Sequence, residues 1–260
     1  MDDANLGVTV RYLGGASALL EIAGGRLLID PTFDPAGEYP IGARVLEKTM
    51  PATVAPEDIG HVDAVLLSHD QHPDNLDDGG REFLASAPLV LSTADARTRL
   101  GGSVLDLDNW TDVELPLPNG RAIRVTGVPA RHGPPGCEPQ TGIVTGFVVS
   151  GEDVPTVYVS GDNAALELVR EVAERFPSID VALLFAGAAS TPLLDGAFLT
   201  LTSAEAAEAA AILGARHIVP LHFEGWAHFS QGRDSLIEAF EQASLTERLH
   251  LLDPGQHIAV

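Results

Sequence analysis

Ser68-His69-Asp70-Gln71-His72-Pro73-Asp74-Asn75-Leu76-Asp77 gathers two imidazoles and three carboxylates into ten consecutive residues. The apolar run 64–67 just before it reads as a buried strand, so these groups collect where a strand opens into a loop. Neutral imidazole nitrogen and carboxylate oxygen are the donors that hold a divalent cation such as zinc or manganese. Three further candidates occupy the same kind of position downstream. His132 follows the run 123–128, Asp162 follows 156–160, and His222 follows 218–221. Four strand ends, each delivering a ligand-type residue, point to one metal site. A divalent cation lowers the pKa of bound water from near 16 to about 7 and polarises the oxygen under attack. Hydrolysis of an ester, lactone, amide or phosphodiester is the chemistry to expect.

Each candidate also has a plainer reading. His69 and His72 would serve as ordinary loop residues in a metal-free protein, and Asp74 or Asn75 would cap a following helix. Asp162, in Gly161-Asp162-Asn163-Ala164, suits the N-cap of a helix opening at 164, a role compatible with metal binding. His228 lies six residues after His222, with Glu224 and Trp226 between. These three are read as pocket residues, His228 as a proton donor or substrate contact, against simple packing. Arg131 is one of 15 basic residues and adjoins His132, so it is a candidate to receive a substrate carboxylate or phosphate. A salt bridge to Glu138 or another acid competes with that. Cys137 has no base to activate it and reads as inert.

Short strands are expected at 8–13, 18–22 and 26–29, turned by Gly14-Gly15 and Gly24-Gly25 into an antiparallel meander. Residues 32–57, rich in Pro, Gly and charge, read as a loop bordering the site. Helices are predicted at 78–87 and 94–100 around a strand at 89–92, then strands at 104–107, 112–115, 121–128, 144–150 and 156–160. The second half alternates: helix 164–175, strand 181–185, helix 202–213, strand 217–221, helix 234–243. Thr202-Ser203-Ala204-Glu205 has the form of a capping box, with Gly214 placed to stop that helix. Strands first and alternation later suggest two sheets packed together with helices outside. No linker composition interrupts the chain, so one domain over 1–260 is expected.

With 37 acidic residues the formal net charge is −22, and such a surface repels nucleic-acid backbones and anionic lipid. A small-molecule substrate is the expected partner, and a homo-oligomer is left open. A single cysteine excludes an internal disulfide. No apolar run approaches the roughly 20 residues that span a bilayer. The start, Met1-Asp2-Asp3-Ala4-Asn5, lacks the features of a signal peptide, so the expectation is a cytoplasmic protein.

In this order the motifs resemble the metallo-β-lactamase superfamily over nearly the whole chain. Tyr12-Leu13-Gly14-Gly15-Ala16-Ser17 and Leu28-Ile29-Asp30-Pro31 are similar to the opening of its lactonase-like branch. Ser68-His69, Pro129-Ala130-Arg131-His132, Tyr158-Val159-Ser160-Gly161-Asp162 and Val219-Pro220-Leu221-His222 continue the likeness. The resemblance implies an α+β fold, a four-layer αββα sandwich of two mixed sheets with helices outside. It also implies a hydrolase that uses metal-bound hydroxide, with Asp74 orienting the water.

The chain departs from the family motif His-x-His-x-Asp-His. His69 matches the first His, Gln71 stands in place of the second, and the Asp-His pair appears as Asp74-Asn75, displaced by one residue. His72 fills the insertion. Two arrangements are open. In one, His69, His72 and His132 hold a first metal, with Asp74, Asp162 and His222 around a second. In the other, the site is thinned to one ion or none, leaving a fold that binds a metabolite without hydrolysis. Oxygen donors in place of imidazole shift preference from zinc toward manganese. A redox role, as in diiron relatives of the superfamily, finds no flavin-binding region or reactive cysteine to support it.

Overall fold

The computed structural model describes residues 6–42 and 44–260. β1 (Val8–Gly14), β2 (Ser17–Ile22) and β3 (Gly25–Ile29) form the antiparallel meander expected from the glycine pairs. Residues 32–57 contain more order than their composition suggests. β4 (Gly37–Ile41) and β5 (Arg44–Lys48) pair as an antiparallel hairpin, followed by the single-turn helix α1 (Pro56–Ile59). Pro40 masks this hairpin in the sequence, but a two-stranded ribbon is all edge, where a missing N–H is tolerated. The hairpin is fixed across the molecule by a Lys48–Trp226 bridge, and the Ala227 N–H donates to the Glu47 carbonyl at 2.9 Å.

β6 (Ala64–Leu66), α2 (Asp78–Leu84), β7 (Val90–Ser92), α3 (Ala94–Leu100) and β8 (Val104–Asp106) add three parallel strands beside β3. The helix expected over 78–87 stops at Leu84. Its start is sharply defined: Asp77 caps the Gly80 N–H at 2.8 Å, and a Cβ on Gly80 would overlap the Pro31 carbonyl. Then come β9 (Asp112–Pro116), β10 (Ala122–Pro129), α4 (Glu138–Thr141), β11 (Thr145–Gly151) and β12 (Val154–Val159). α5 (Leu166–Arg175), β13 (Val181–Phe185), α6 (Ser203–Leu213), β14 (His217–Leu221), α7 (Arg233–Gln242) and β15 (His257–Ala259) complete the chain. α6 carries the expected capping box between Thr202 and Glu205, with Gly214 left-handed at its end. The short α4 and β15 carry no periodicity that marks them.

One sheet runs β15-β1-β2-β3-β6-β7-β8 and the other β14-β13-β12-β11-β10-β9, both mixed. Strand alternation sorts the apolar side chains of the first sheet between two cores. Val8, Val10, Leu27, Ile29, Ala64 and Leu66 face the second sheet, while Leu28, Val65 and Leu67 pack with Ile59, Leu76 and Leu84 under α1 and α2. Val169, Val172, Ala206, Ala210, Leu236 and Phe240 seat α5, α6 and α7 on the second sheet. The result is the expected αββα layering. Among the described residues no helix is long and apolar enough to cross a membrane.

Candidate metal centre

The segments that leave β6, β10, β12 and β14 meet. His69, His72, His132 and Asp162 each offer one ligand atom, and these atoms all lie within 4.8 Å of one another. Asp74, Asp162 and His222 form a second group by the same measure, with Asp162 common to both. All six are buried except His72, which is partly exposed.

Loop 68–77 owes its shape to buried anchors. The Asp30 carboxylate, at the end of β3, accepts from the Ser68 N–H and hydroxyl, each at 2.6 Å, and from the Asn75 amide at 3.0 Å. Arg99 grips the Asp70 carboxylate at 2.6 and 2.9 Å, which directs that acid away from the cluster. Between these anchors the chain makes one tight turn, in which the His72 carbonyl accepts from the N–H groups of Asn75 and Leu76. The inserted residue makes room for that turn. It sets His72 Nδ1 2.9 Å from His69 Nε2, while Gln71 points out against Gly142. Asn75 does not take an imidazole's place. Its amide donates to Asp162 at 3.1 Å and to Asp30, so it ties two buried acids together.

His132 Nδ1 donates to the Leu199 carbonyl at 2.9 Å, which fixes the tautomer and leaves Nε2 free as a donor to a cation. His222 has φ 56°, and Ala188 and Asp30 nearby have φ 48° and 35°. A left-handed non-glycine residue costs about 1–3 kcal/mol, a strain that surrounding contacts must hold. Here the Gly15 carbonyl accepts from the His222 N–H at 2.6 Å, and Gly187 lies so close that a Cβ would overlap the His222 carbonyl. The imidazole of His222 then lies 3.2 Å from Asp74 and 3.3 Å from Asp162. His228 approaches the same Asp74 oxygen at 3.1 Å.

The electrostatics favour ligand-ready forms at His69, His72 and His132. At His222 burial is outweighed by the Asp162 and Asp74 carboxylates, which raise its pKa and favour the protonated ring until a cation takes the proton's place. Burial, with mutual repulsion among the rings, holds the His69 and His132 imidazoles well below their usual pKa. Burial lowers His72 too, and the Arg44 charge adds to the effect. All three are thus neutral at pH 7, as metal binding requires. Burial pushes Asp162 up to about 6, with Asp74 adding repulsion. Burial also pushes Asp74 up, but His222 and His228 together outweigh it and hold that carboxyl well below the ordinary range.

A divalent cation fits these residues. Asp74 Oδ1 and Asp162 Oδ2 are shut from solvent without a hydrogen-bond partner, and the two ring nitrogens of His222 have only carboxylate oxygens beside them. Each such oxygen costs about 1–3 kcal/mol unless something satisfies it. Positive charge among buried carboxylates does so.

The remaining sequence candidates fall elsewhere. Arg131 pairs with Glu167 on α5, donates to the Gly133 carbonyl, and lines a separate cavity with Thr93 and Asp108. A local acid took the cation, because β10 ends with Arg131 turned toward α5 and His132 toward the cluster. Glu224 and Trp226 line a narrow cleft with Lys48 and Met50 that contains none of the cluster residues. Trp226 is 3 % exposed, buried by the hairpin bridge at Lys48 and edge-on to Tyr39. His228 alone of that trio reaches the cluster. Asp30 enters the sequence analysis only within a family motif; an acid closing the apolar run 27–29 is the signal that marks its supporting role.

Asn75→Ala separates ligand support from packing. It is expected to weaken metal binding by about 10–100-fold, the usual effect of losing a group that orients a ligand. Stability should drop by about 2–3 kcal/mol, since Asp30 and Asp162 lose their shared donor. Competition against a chelating dye reads the first and urea unfolding the second. An unchanged metal affinity would reduce Asn75 to a packing residue.

The chain matches the model of the beta-lactamase superfamily domain over residues 25–223. A metal-dependent hydrolase of UPF0173 from Methanosphaerula palustris is 30% identical over 238 residues, covering 89% of this chain and 90% of the relative. Its counterpart from Pyrococcus horikoshii is 28% identical over 227 residues, covering 86% and 88%. Among solved structures, the isothiocyanate hydrolase from Delia radicum gut bacteria superposes with TM-score 0.79 at 20% identity, covering 96% of this chain and 98% of that one, a likeness of fold. Two mixed sheets with helices outside, ligand-type residues after strands of both, and a family match that spans the cluster lead to one assignment. The chain belongs to the metallo-β-lactamase superfamily.

Proposed function

We propose that the protein is a metal-dependent hydrolase of a small molecule, with His69, His72, His132 and Asp162 holding one cation and Asp74, Asp162 and His222 around a second. The observation that carries this reading is the convergence, from four chain segments, of imidazoles and of carboxylate oxygens without a hydrogen-bond partner. The naming of the relatives as metal-dependent hydrolases supports it. When bound, the metal supplies an acidified water and a polarised substrate oxygen. Asp74 Oδ1 has no hydrogen bond, so it would accept one from the attacking water and orient it. His228, 18 % exposed and 3.1 Å from the other oxygen of Asp74, would donate its own proton to the leaving group. The first group is nitrogen-rich and suits zinc; the second, with two carboxylates, suits manganese or another hard ion. The buried free Cys137 fits a reducing compartment such as the cytoplasm.

Protein expressed in supplemented medium is expected to carry one to two equivalents of transition metal. Chelation should lower Tm by about 5–10 °C, the shift for metal present near 100 times its Kd in a chain of this size. Ester hydrolysis should vanish with the metal and return on its addition. Less than about 0.2 equivalents of metal, with Tm indifferent to chelator, would sink the reading.

A further inference from the structure

Of the cations near the cluster, Arg44 and Arg81 lack a carboxylate partner, and Arg44 is the one of the two that lines a cavity reaching His72. Lys48 is paired with Asp77, Arg99 with Asp70 and Asp95, and Arg131 with Glu167; Arg81 donates to the Asp70 carbonyl. Arg44 donates only to the neutral Thr191 hydroxyl, at 2.8 Å. Among the described residues no carboxylate lies within ion-pairing distance of it, in a chain with 37 acids and 15 basic residues. A guanidinium has five N–H donors in a planar fork, so most of its capacity is left over.

That capacity faces a cavity of about 480 Å³ which Arg44 lines together with His72, Gln71, Gln140, Ile41 and Leu193. The cavity therefore touches the metal cluster at His72 and carries amide side chains beside the cation. Ile41 and Leu193, the latter 58 % exposed, make an apolar wall. The hairpin that bears Arg44 is not free to swing, because β5 is bridged to Trp226 and bonded to Ala227. Arg99 engages Asp95, one of the two acids that line the cavity, so the guanidinium of Arg44 is left without a counter-charge, and its fork matches a carboxylate or phosphate.

We propose that this cavity receives an anionic group of the substrate, a carboxylate or a phosphate held by Arg44, so that the substrate is a small organic anion with a short apolar portion. This rests on the hydrolase reading for what happens next, though not for the binding itself. Glu138 also lines the cavity, unpaired with Arg44, and is the internal competitor for it.

The test uses the full-length, metal-loaded protein and calorimetric titration with glutarate, inorganic phosphate and the neutral glutaramide, in wild type, Arg44→Ala and Arg44→Lys. Wild type should bind one of the two anions at least about 10-fold more tightly than glutaramide, and Arg44→Ala should bring that preference down to about 1. Arg44→Lys should restore part of it, with metal content and Tm at wild-type values in both variants. Whether glutarate or phosphate loses more identifies the group. In a parallel arm, mono-4-nitrophenyl glutarate should be hydrolysed in preference to 4-nitrophenyl butyrate, and Arg44→Ala should collapse that ratio toward about 1. Equal anion binding in wild type and Arg44→Ala, at equal metal content, overturns the proposal, because the anion would then be held by the metal alone. Arg44-dependent anion binding without turnover of either ester would keep the anion site and remove the hydrolase reading.

Discussion

Replacing His69 and His132 together with alanine is expected to abolish tight metal binding and to lower kcat/KM for any ester the protein hydrolyses by at least about 10³-fold. The pair is informative because the two come from different sheets, His69 after β6 and His132 after β10. Without them the first group retains His72, on a turn and partly exposed, and Asp162, which must then serve the second group alone. Two donors do not hold a divalent ion against water. Both rings are buried and His132 donates to the Leu199 carbonyl, so their loss should also lower the Tm of the chelated protein. Metal analysis after dialysis, Tm with and without chelator, and ester turnover check the three parts. A double variant that keeps the whole wild-type metal content would mean that the first group holds no cation, since Asp74, Asp162 and His222 remain to account for one equivalent.

The largest effect on stability is expected from Asp77→Ala, at about 3–5 kcal/mol. The side chain is fully buried and accepts from the N–H groups of Phe33, Asp34 and Gly80 at 2.8–2.9 Å, and from Lys48 Nζ at 3.0 Å. It therefore joins the chain after β3, the start of α2 and the hairpin strand β5. Lys48 is only 5 % exposed, and removal of the acid leaves its ammonium buried without a counter-charge. The exposed Arg170–Glu208 pair sets the contrast: its loss should cost less than about 1 kcal/mol. Adding Lys48→Met to Asp77→Ala removes the stranded charge and should recover about 1–3 kcal/mol. Urea unfolding with fitted m-values measures all three. Additivity of the two substitutions would show that the ion pair is not what holds this junction.

Much of the architecture was legible because the strand-end ligands follow apolar runs whose length and composition leave little choice. His69, His132, Asp162 and His222 could be placed at one end of the sandwich from that pattern alone. The role of His72 was visible only as an alternative, since a one-residue insertion can turn either imidazole or amide inward. Here the Asp30 and Arg99 anchors decide it, and both act from far along the chain. The β4–β5 hairpin was hidden by Pro40 and Gly42, and with it went Arg44, whose significance depends on what fails to pair with it in space. Arg131 misled for the mirror reason. Glu167 is 36 residues away and half a helix turn decides that it faces β10.

His69, His72 and Asp74 follow a strand of the first sheet, while His132, Asp162 and His222 follow strands of the second. A cation shared among them is thus a rivet through both plates of the sandwich. Its bite is set by the thickness of the filling, so a methyl group added or removed deep between the plates changes the spacing of donors it never touches. The mute aliphatic interior becomes the calliper that gauges the reaction centre.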